Sequence, residues 1–367
     1  MSTPAPSPTS IARPDILSVD PYEHAAWNPA LERLHANELP WRNSADGSEA
    51  GLNRYPEPQP QVLVAQLAAL YGQPAANVLV TRGSDEAIDL LTRAFCRAGL
   101  DQVLVCPPTF GMYSVAARIQ GAGVVRVPLN QARGFEYDLA AVLAECTPSV
   151  KLVYVCSPNN PTGNLVPEAT ILRLASQLAG RALVVVDEAY IEFADEPSCA
   201  RHLATHPWLV VLRTLSKAHG LAGARCGVVL AHAEVVALLR RIVEPYNLTQ
   251  LSIEAVLRAL QPAARATTAA GVASIRAQRA QLSVALAQIE GVIRVWPSAA
   301  NFLLVEFLAP QLAFDQACAA GLLVRDVRRQ PGLERALRLT VGTPEQNQRL
   351  IGALRAQRRA HPAQKVT

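Results

Sequence analysis

Short apolar runs alternate with longer stretches in which apolar residues return every three or four positions. The runs at 78–81, 102–106, 124–129, 152–156, 182–186, 209–212 and 227–230 have strand length, and several are apolar on both parities, as strands buried on both faces must be. The stretch 61–71 places Val62, Leu63, Leu67 and Leu70 on a helical face and ends before Gly72, a stop signal. Helical patterns over 85–97 and 167–178 fit between strands. This alternation predicts an α/β fold, with a large domain built on a mostly parallel sheet covered on both faces. After Pro245 the pattern changes: alanine-rich helical sequence runs from 252 to 289, followed by strand-like runs at 301–307 and 337–341. That half reads as a smaller α+β domain. The division expected is 1–50 for an N-terminal arm and the start of the small domain, 51–255 for the large domain and 256–367 for the small one.

Composition narrows the classes. Half of the 367 residues are hydrophobic and 17% are charged, enough for a large buried core. A net charge of +4 with basic residues spread along the chain does not suggest a nucleic-acid or anionic-membrane surface. The basic tail over 355–365 reads as a solvated helix end and frayed terminus, and 1–10, with three prolines, as a disordered arm rather than a signal peptide. No apolar stretch approaches the roughly 18 residues of a membrane span. Seven cysteines without a Cys-x-x-Cys pair suggest reduced core thiols in a cytoplasmic protein.

The chemistry concentrates where strands end. Lys217, in Thr214-Leu215-Ser216-Lys217-Ala218-His219-Gly220, lies in a loop between two buried runs, with Arg225 close behind it. A solvated turn lysine is the ordinary alternative; an amine placed to form an imine is the functional one. Asp187 ends the run 182–186, so its carboxylate should emerge at the strand's carboxyl end, where open α/β sheets bind ligands. It could equally cap the next turn. Gly83-Ser84-Asp85-Glu86 joins a strand to a helix, leaving N–H groups for an anion or for ordinary capping. Asn160, in the loop Ser157-Pro158-Asn159-Asn160-Pro161-Thr162-Gly163, could donate to a phenolate-like oxygen, and Tyr190 could reach the same atom. Arg338 alternates with apolar neighbours in Leu337-Arg338-Leu339, so its guanidinium must reach solvent, an acidic side chain or a bound anion.

These parts match pyridoxal phosphate, PLP, piece by piece. Through Pro21-Tyr22, Asn53-Arg54-Tyr55-Pro56, Gly83 to Phe95, Pro107 to Ser114, Tyr154 to Gly163, Val186 to Phe193, Thr214 to Arg225 and Ala336 to Thr343, the chain resembles fold-type I PLP-dependent aminotransferases, most closely the histidinol-phosphate aminotransferase family. The resemblance implies that Lys217 holds PLP and shuttles a proton, and that Asp187 keeps the pyridine nitrogen protonated. It further implies that Asn160 and Tyr190 hold the ring oxygen, and that Ser84, Asp85, Thr214, Ser216 and Arg225 surround the phosphate. Tyr55 of the partner subunit would reach that phosphate, making a homodimer part of the site. Phe110 would stack on the ring where the family more often has tyrosine. Arg338, assisted by Arg325, would bind the substrate anion, and Tyr22 and Tyr246 would line the substrate side. No metal is implied, and no role follows for His219. The implied reaction exchanges amino groups between histidinol phosphate with 2-oxoglutarate and imidazole acetol phosphate with glutamate, in histidine biosynthesis. The alternatives are an aromatic or broad-range aminotransferase, a PLP decarboxylase and a non-catalytic PLP-binding regulator.

Overall fold

The computed structural model of the chain describes residues 6–23, 27–28 and 30–355. A seven-stranded sheet is built from β1 (Val78–Thr81), β2 (Gln102–Val105), β3 (Gly123–Arg126), β4 (Val150–Cys156), β5 (Leu183–Asp187), β6 (Leu209–Thr214) and β7 (Gly227–Ala231). Their order is β1-β7-β6-β5-β4-β2-β3, and only β7 runs against the others. A second, antiparallel sheet contains β8 (Val292–Val295), β9 (Phe302–Phe307), β10 (Arg325–Asp326) and β11 (Ala336–Thr340), ordered β10-β11-β9-β8.

The helices before the first strand are α1 (Pro14–Leu17) and α2 (Gln61–Tyr71). Those threaded through the large sheet are α3 (Ser84–Phe95), α4 (Met112–Gln120), α5 (Leu139–Glu145) and α6 (Glu168–Gln177). After it come α7 (Ala233–Arg240), α8 (Gln250–Ala259), α9 (Pro262–Ala287), α10 (Pro310–Ala319) and α11 (Pro344–Arg355).

Side-chain alternation explains the continuous apolar strands. Val184 and Val186 point into a core with α2, α6 and α8, whereas Leu183 and Val185 point into a second core with α3, α4 and α7. A third core joins the small sheet to α9, α10 and α11 through Leu282, Leu286, Leu339 and Ile351. The small sheet also touches the first core, which takes in Trp296, Leu304 and Ala336.

Several boundaries differ from the sequence expectation. The helical pattern at 252–289 is two helices, because Pro262 has no N–H to continue α8 and instead starts α9 at its first turn. The edge strand β3 stops at Arg126, and β6 continues through the polar pair Arg213 and Thr214. Arg213 is buried because Glu192 accepts its guanidinium at 2.6 Å and the Tyr71 ring lies 4.6 Å beneath it. The arm packs on the fold within residues 6–13: Pro8 is buried, Ser7 donates to Glu234, and the Arg13 N–H caps the Ala94 carbonyl at 3.0 Å. Docking onto the end of α3 supplies partners that a disordered arm lacks. Residues 1–5 lie outside the described residues, as does the basic tail from 356 on. No helix among the described residues is long and apolar enough to cross a membrane.

Candidate active site

Parallel strands β4, β5 and β6 end side by side, with Cys156 in register with Asp187 and Asp187 in register with Leu212. The loops leaving these ends, together with α3 and the small sheet, enclose a cavity of about 510 Å³. Its walls carry Ser84, Asp85, Phe110, Asn160, Asp187, Tyr190, Thr214, Ser216, Lys217, Arg225, Arg325 and Arg338. Twelve residues singled out from the sequence, scattered over some 250 positions, therefore converge on one space.

At the floor, Asp187 is 2% exposed. The Ala189 N–H donates to its Oδ1 at 3.1 Å and the Tyr113 hydroxyl to its Oδ2 at 2.8 Å. Burial raises its pKa to about 6, with those two donors and the more distant Lys217 opposing. Among the described residues no cation lies within ion-pair distance of it. Such a carboxylate suits a cationic ring nitrogen entering the cavity. Burial also lowers the Lys217 pKa, and Arg338 and Arg225 push it further down, which favours the neutral, nucleophilic amine. Its Nζ lies 5.8 Å from the centre of the Tyr190 ring.

One end of the cavity is shaped for an anion. Gly83 (φ +84°) precedes α3 and no side chain caps the helix, so its first N–H groups face the cavity end with the positive pole of the helix behind them. Arg225 lies directly against Gly83, where a Cβ would meet its guanidinium at 2.6 Å, and pairs with Asp85 at 3.2 Å. Thr214 and Ser216 are linked at 3.0 Å on the same wall. At the opposite end, Arg325 and Arg338 stand opposite each other in the β10–β11 register. Like charges in that arrangement repel, and an anion between them would relieve it. Arg338 donates to the side-chain Oδ1 of Asn160 while its Nε is buried without a partner, and the Asn160 Nδ2 is 3.5 Å from the Tyr190 hydroxyl.

Three expected residues are elsewhere. Tyr55 stacks on Tyr246 with centroids 4.5 Å apart, Tyr22 is 68% exposed, and none of the three lines the cavity of their own chain. His219 does not line the cavity; it is half-buried in the field of Glu192, Arg213 and Arg265, with its Nδ1 buried and unpartnered. Two residues without a sequence signal of their own appear: Gln330, on the cavity wall, and Tyr113, whose contact with Asp187 spans 74 positions.

The walls thus fit PLP: an amine, a sealed carboxylate, an amide and phenol pair, and an uncapped helix end backed by arginine answer its aldehyde, ring nitrogen, ring oxygen and phosphate. Comparison with known proteins agrees. Residues 28–354 match the family described as aminotransferase class I and II. A histidinol-phosphate aminotransferase of Xylella fastidiosa strain 9a5c is 50% identical over 360 residues, covering 97% of this chain and 98% of that protein. Among solved structures, the histidinol-phosphate aminotransferase of Sinorhizobium meliloti in complex with pyridoxal-5'-phosphate has TM-score 0.75 at 26% identity, covering 83% of each chain. L-threonine-O-3-phosphate decarboxylase from Porphyromonas gingivalis has TM-score 0.71 at 27% identity, covering 83% of this chain and 90% of that one. With sequence, fold and cavity in agreement, the chain belongs to the class I and II aminotransferases, PLP-dependent enzymes of fold type I, and within them to the histidinol-phosphate aminotransferase family.

Proposed function

We propose that this chain is a transaminase moving an amino group between histidinol phosphate with 2-oxoglutarate and imidazole acetol phosphate with glutamate. The observation that carries the substrate class is the facing pair Arg325 and Arg338, which lines the same cavity as the desolvated Lys217. A guanidinium fork accepts carboxylate or phosphate alike, so one anion site serves glutamate and histidinol phosphate in turn. Bound PLP supplies an electron sink for the pair left when the substrate Cα–H bond breaks. The chain's residues do the rest. Lys217 anchors the cofactor and, once released, carries the proton away from Cα. Asp187 holds the ring nitrogen in its protonated form, Asn160 and Tyr190 orient the ring oxygen, and Phe110 covers a ring face. Ser84, Asp85, Thr214, Ser216 and Arg225 form the phosphate end.

The same reading makes the protein a homodimer. Tyr55, Tyr22 and Tyr246 lie outside their own cavity, and Leu34 and Trp41 are 94% and 69% exposed, apolar surface suited to covering by a second copy. Tyr55 then reaches the phosphate end across the interface, and Tyr22 and Tyr246 flank the substrate. The domain division proposed remains 1–50, 51–255 and 256–367. Six buried free thiols support a reducing, cytoplasmic setting.

Rapid mixing with glutamate alone tests the reaction: 2-oxoglutarate should form in an amount equal to the bound cofactor and then stop until an acceptor is added. Substrate identity is tested by kcat/KM, which should be at least about tenfold higher for histidinol phosphate than for phenylalanine. Equal values would point to a broad-range aromatic enzyme, carbon dioxide release to a decarboxylase, and no 2-oxoglutarate to a regulator that only binds the cofactor.

A further inference from the structure

Tyr113 is fully buried, yet among the described residues it is one of the two hydrogen-bond donors to the Asp187 carboxylate. Its ring cannot swing away. It lies flat on Tyr154, with centroids 4.6 Å apart at 6°, and meets the edge of Phe110 at 5.6 Å. Tyr154 is itself held through its hydroxyl by Thr92 at 3.2 Å and by the Ile88 carbonyl at 3.3 Å. A stack anchored in α3 therefore delivers one phenolic O–H to Oδ2, while the backbone of Ala189 delivers one N–H to Oδ1. A carboxylate offers about four acceptor positions, and two donors on different oxygens fix its plane while leaving the others open.

We propose that Tyr113 is a positioning residue: its buried hydroxyl fixes the plane and the charge state of Asp187 before the cofactor arrives, so that the ring nitrogen meets a preorganised carboxylate. This rests on the reading of Asp187 as the ring-nitrogen partner. The hydroxyl stabilises the ionised form at a site where burial works against it. The other charged or titratable groups facing Asp187 are Lys217 from the loop after β6, Asp85 from the first turn of α3, Cys156 and Tyr154 from β4, and Tyr190 from the loop after β5. None of them hydrogen-bonds to its side-chain oxygens, so among the described residues Tyr113 is the side chain that orients it.

The test uses Tyr113→Phe, which removes one oxygen and keeps the stack, with Tyr154→Phe as a control that removes a buried hydroxyl one ring further back. In cofactor-free full-length protein, carbon-13 NMR of Asp187 should show its titration shifted upward in Tyr113→Phe and unmoved in Tyr154→Phe. The Kd for PLP should rise about tenfold in the former, the loss of one hydrogen bond to a charged group. If Tyr113→Phe does not accumulate folded, 3,5-difluorotyrosine at position 113 keeps the ring and makes the hydroxyl a stronger donor, and the Asp187 titration should then shift downward. An unmoved titration with Kd within about twofold of wild type overturns the proposal, as does an equal effect of Tyr154→Phe. Asp187→Asn separates the two ideas: if it binds PLP as tightly as wild type, the ring-nitrogen reading fails, whereas weak binding by Asp187→Asn beside normal binding by Tyr113→Phe fails Tyr113 alone.

Discussion

Asp187 shows what a buried carboxylate costs the protein that carries it. Its folded pKa of about 6 lies above the 3.8 of a free side chain, so the folded protein binds the proton more tightly than the unfolded chain does. The stability associated with that proton is fully present below about pH 4 and is lost as pH rises to about 6, an effect of about 3 kcal/mol for a shift of this size. Above that window, cofactor-free protein carries an unpaired buried charge that a ring cation neutralises. Asp187→Asn should therefore melt higher than wild type at pH 7.5 without cofactor and similarly at pH 4, while losing PLP affinity. A lower melting temperature for the variant at pH 7.5 would refute this account. Arg338 poses the complementary case, a cation whose Nε is buried without a partner and which faces Arg325. Arg338→Leu should lower kcat/KM for glutamate and for histidinol phosphate alike, by about 1.5–3 kcal/mol each, or roughly ten- to a hundredfold. Steady-state kinetics with both donors decides it, because a loss confined to one substrate would mean two anion sites.

Elements carry the anion end of the cavity more than any side chain does. Strand β7 begins at Gly227, where a Cβ would lie 2.4 Å from the Gly83 carbonyl carbon and 2.7 Å from the Ser84 nitrogen. Only a glycine lets the antiparallel strand pass this close to the turn before α3. Gly227→Ala should push that turn aside, costing about 1–3 kcal/mol of stability and weakening PLP more than it weakens the fold. Thermal melting and PLP titration on one sample test it, and a melting shift with unchanged affinity would detach the strand from the site. The glycine itself gave no hint of this role, because its clash partner lies 144 positions earlier. The sequence was most legible where pattern is local. Each strand of the large sheet and the turn before α3 show in apolar runs and turn residues, and strand ends alone locate Asp187 and Asn160. What it hid depends on contacts distant in sequence: the Tyr113 hydroxyl on Asp187, the arm docked on α3, and a break at Pro262 within an otherwise unbroken alanine-rich pattern.

At the scale of the whole molecule, the cavity is lined by twelve of the residues expected at the site but not by Tyr22, Tyr55 or Tyr246. Lys217 and Tyr55 belong to one chain, yet Tyr55 is half exposed and stacks on Tyr246 outside that chain's own cavity. If each site takes its lysine from one subunit and its tyrosine from the other, defects in the two residues can be separated. A Lys217→Ala subunit can still lend Tyr55, and a Tyr55→Ala subunit can still use Lys217. In a mixed dimer of these variants one site inherits both defects and the other inherits none. Random reassembly of equal amounts makes about half the dimers mixed, each with one intact site of two, so the mixture should regain about a quarter of wild-type activity. Each variant alone supplies the baseline, set by the orders-of-magnitude loss on removing the amine and the weaker cofactor binding on removing the ring. Refolding the pair together and measuring glutamate-dependent turnover gives the answer, with size-exclusion chromatography confirming that dimers reform. Activity no higher than the mean of the two parents would mean that each cavity is complete within one chain, and the homodimer would lose its place in catalysis.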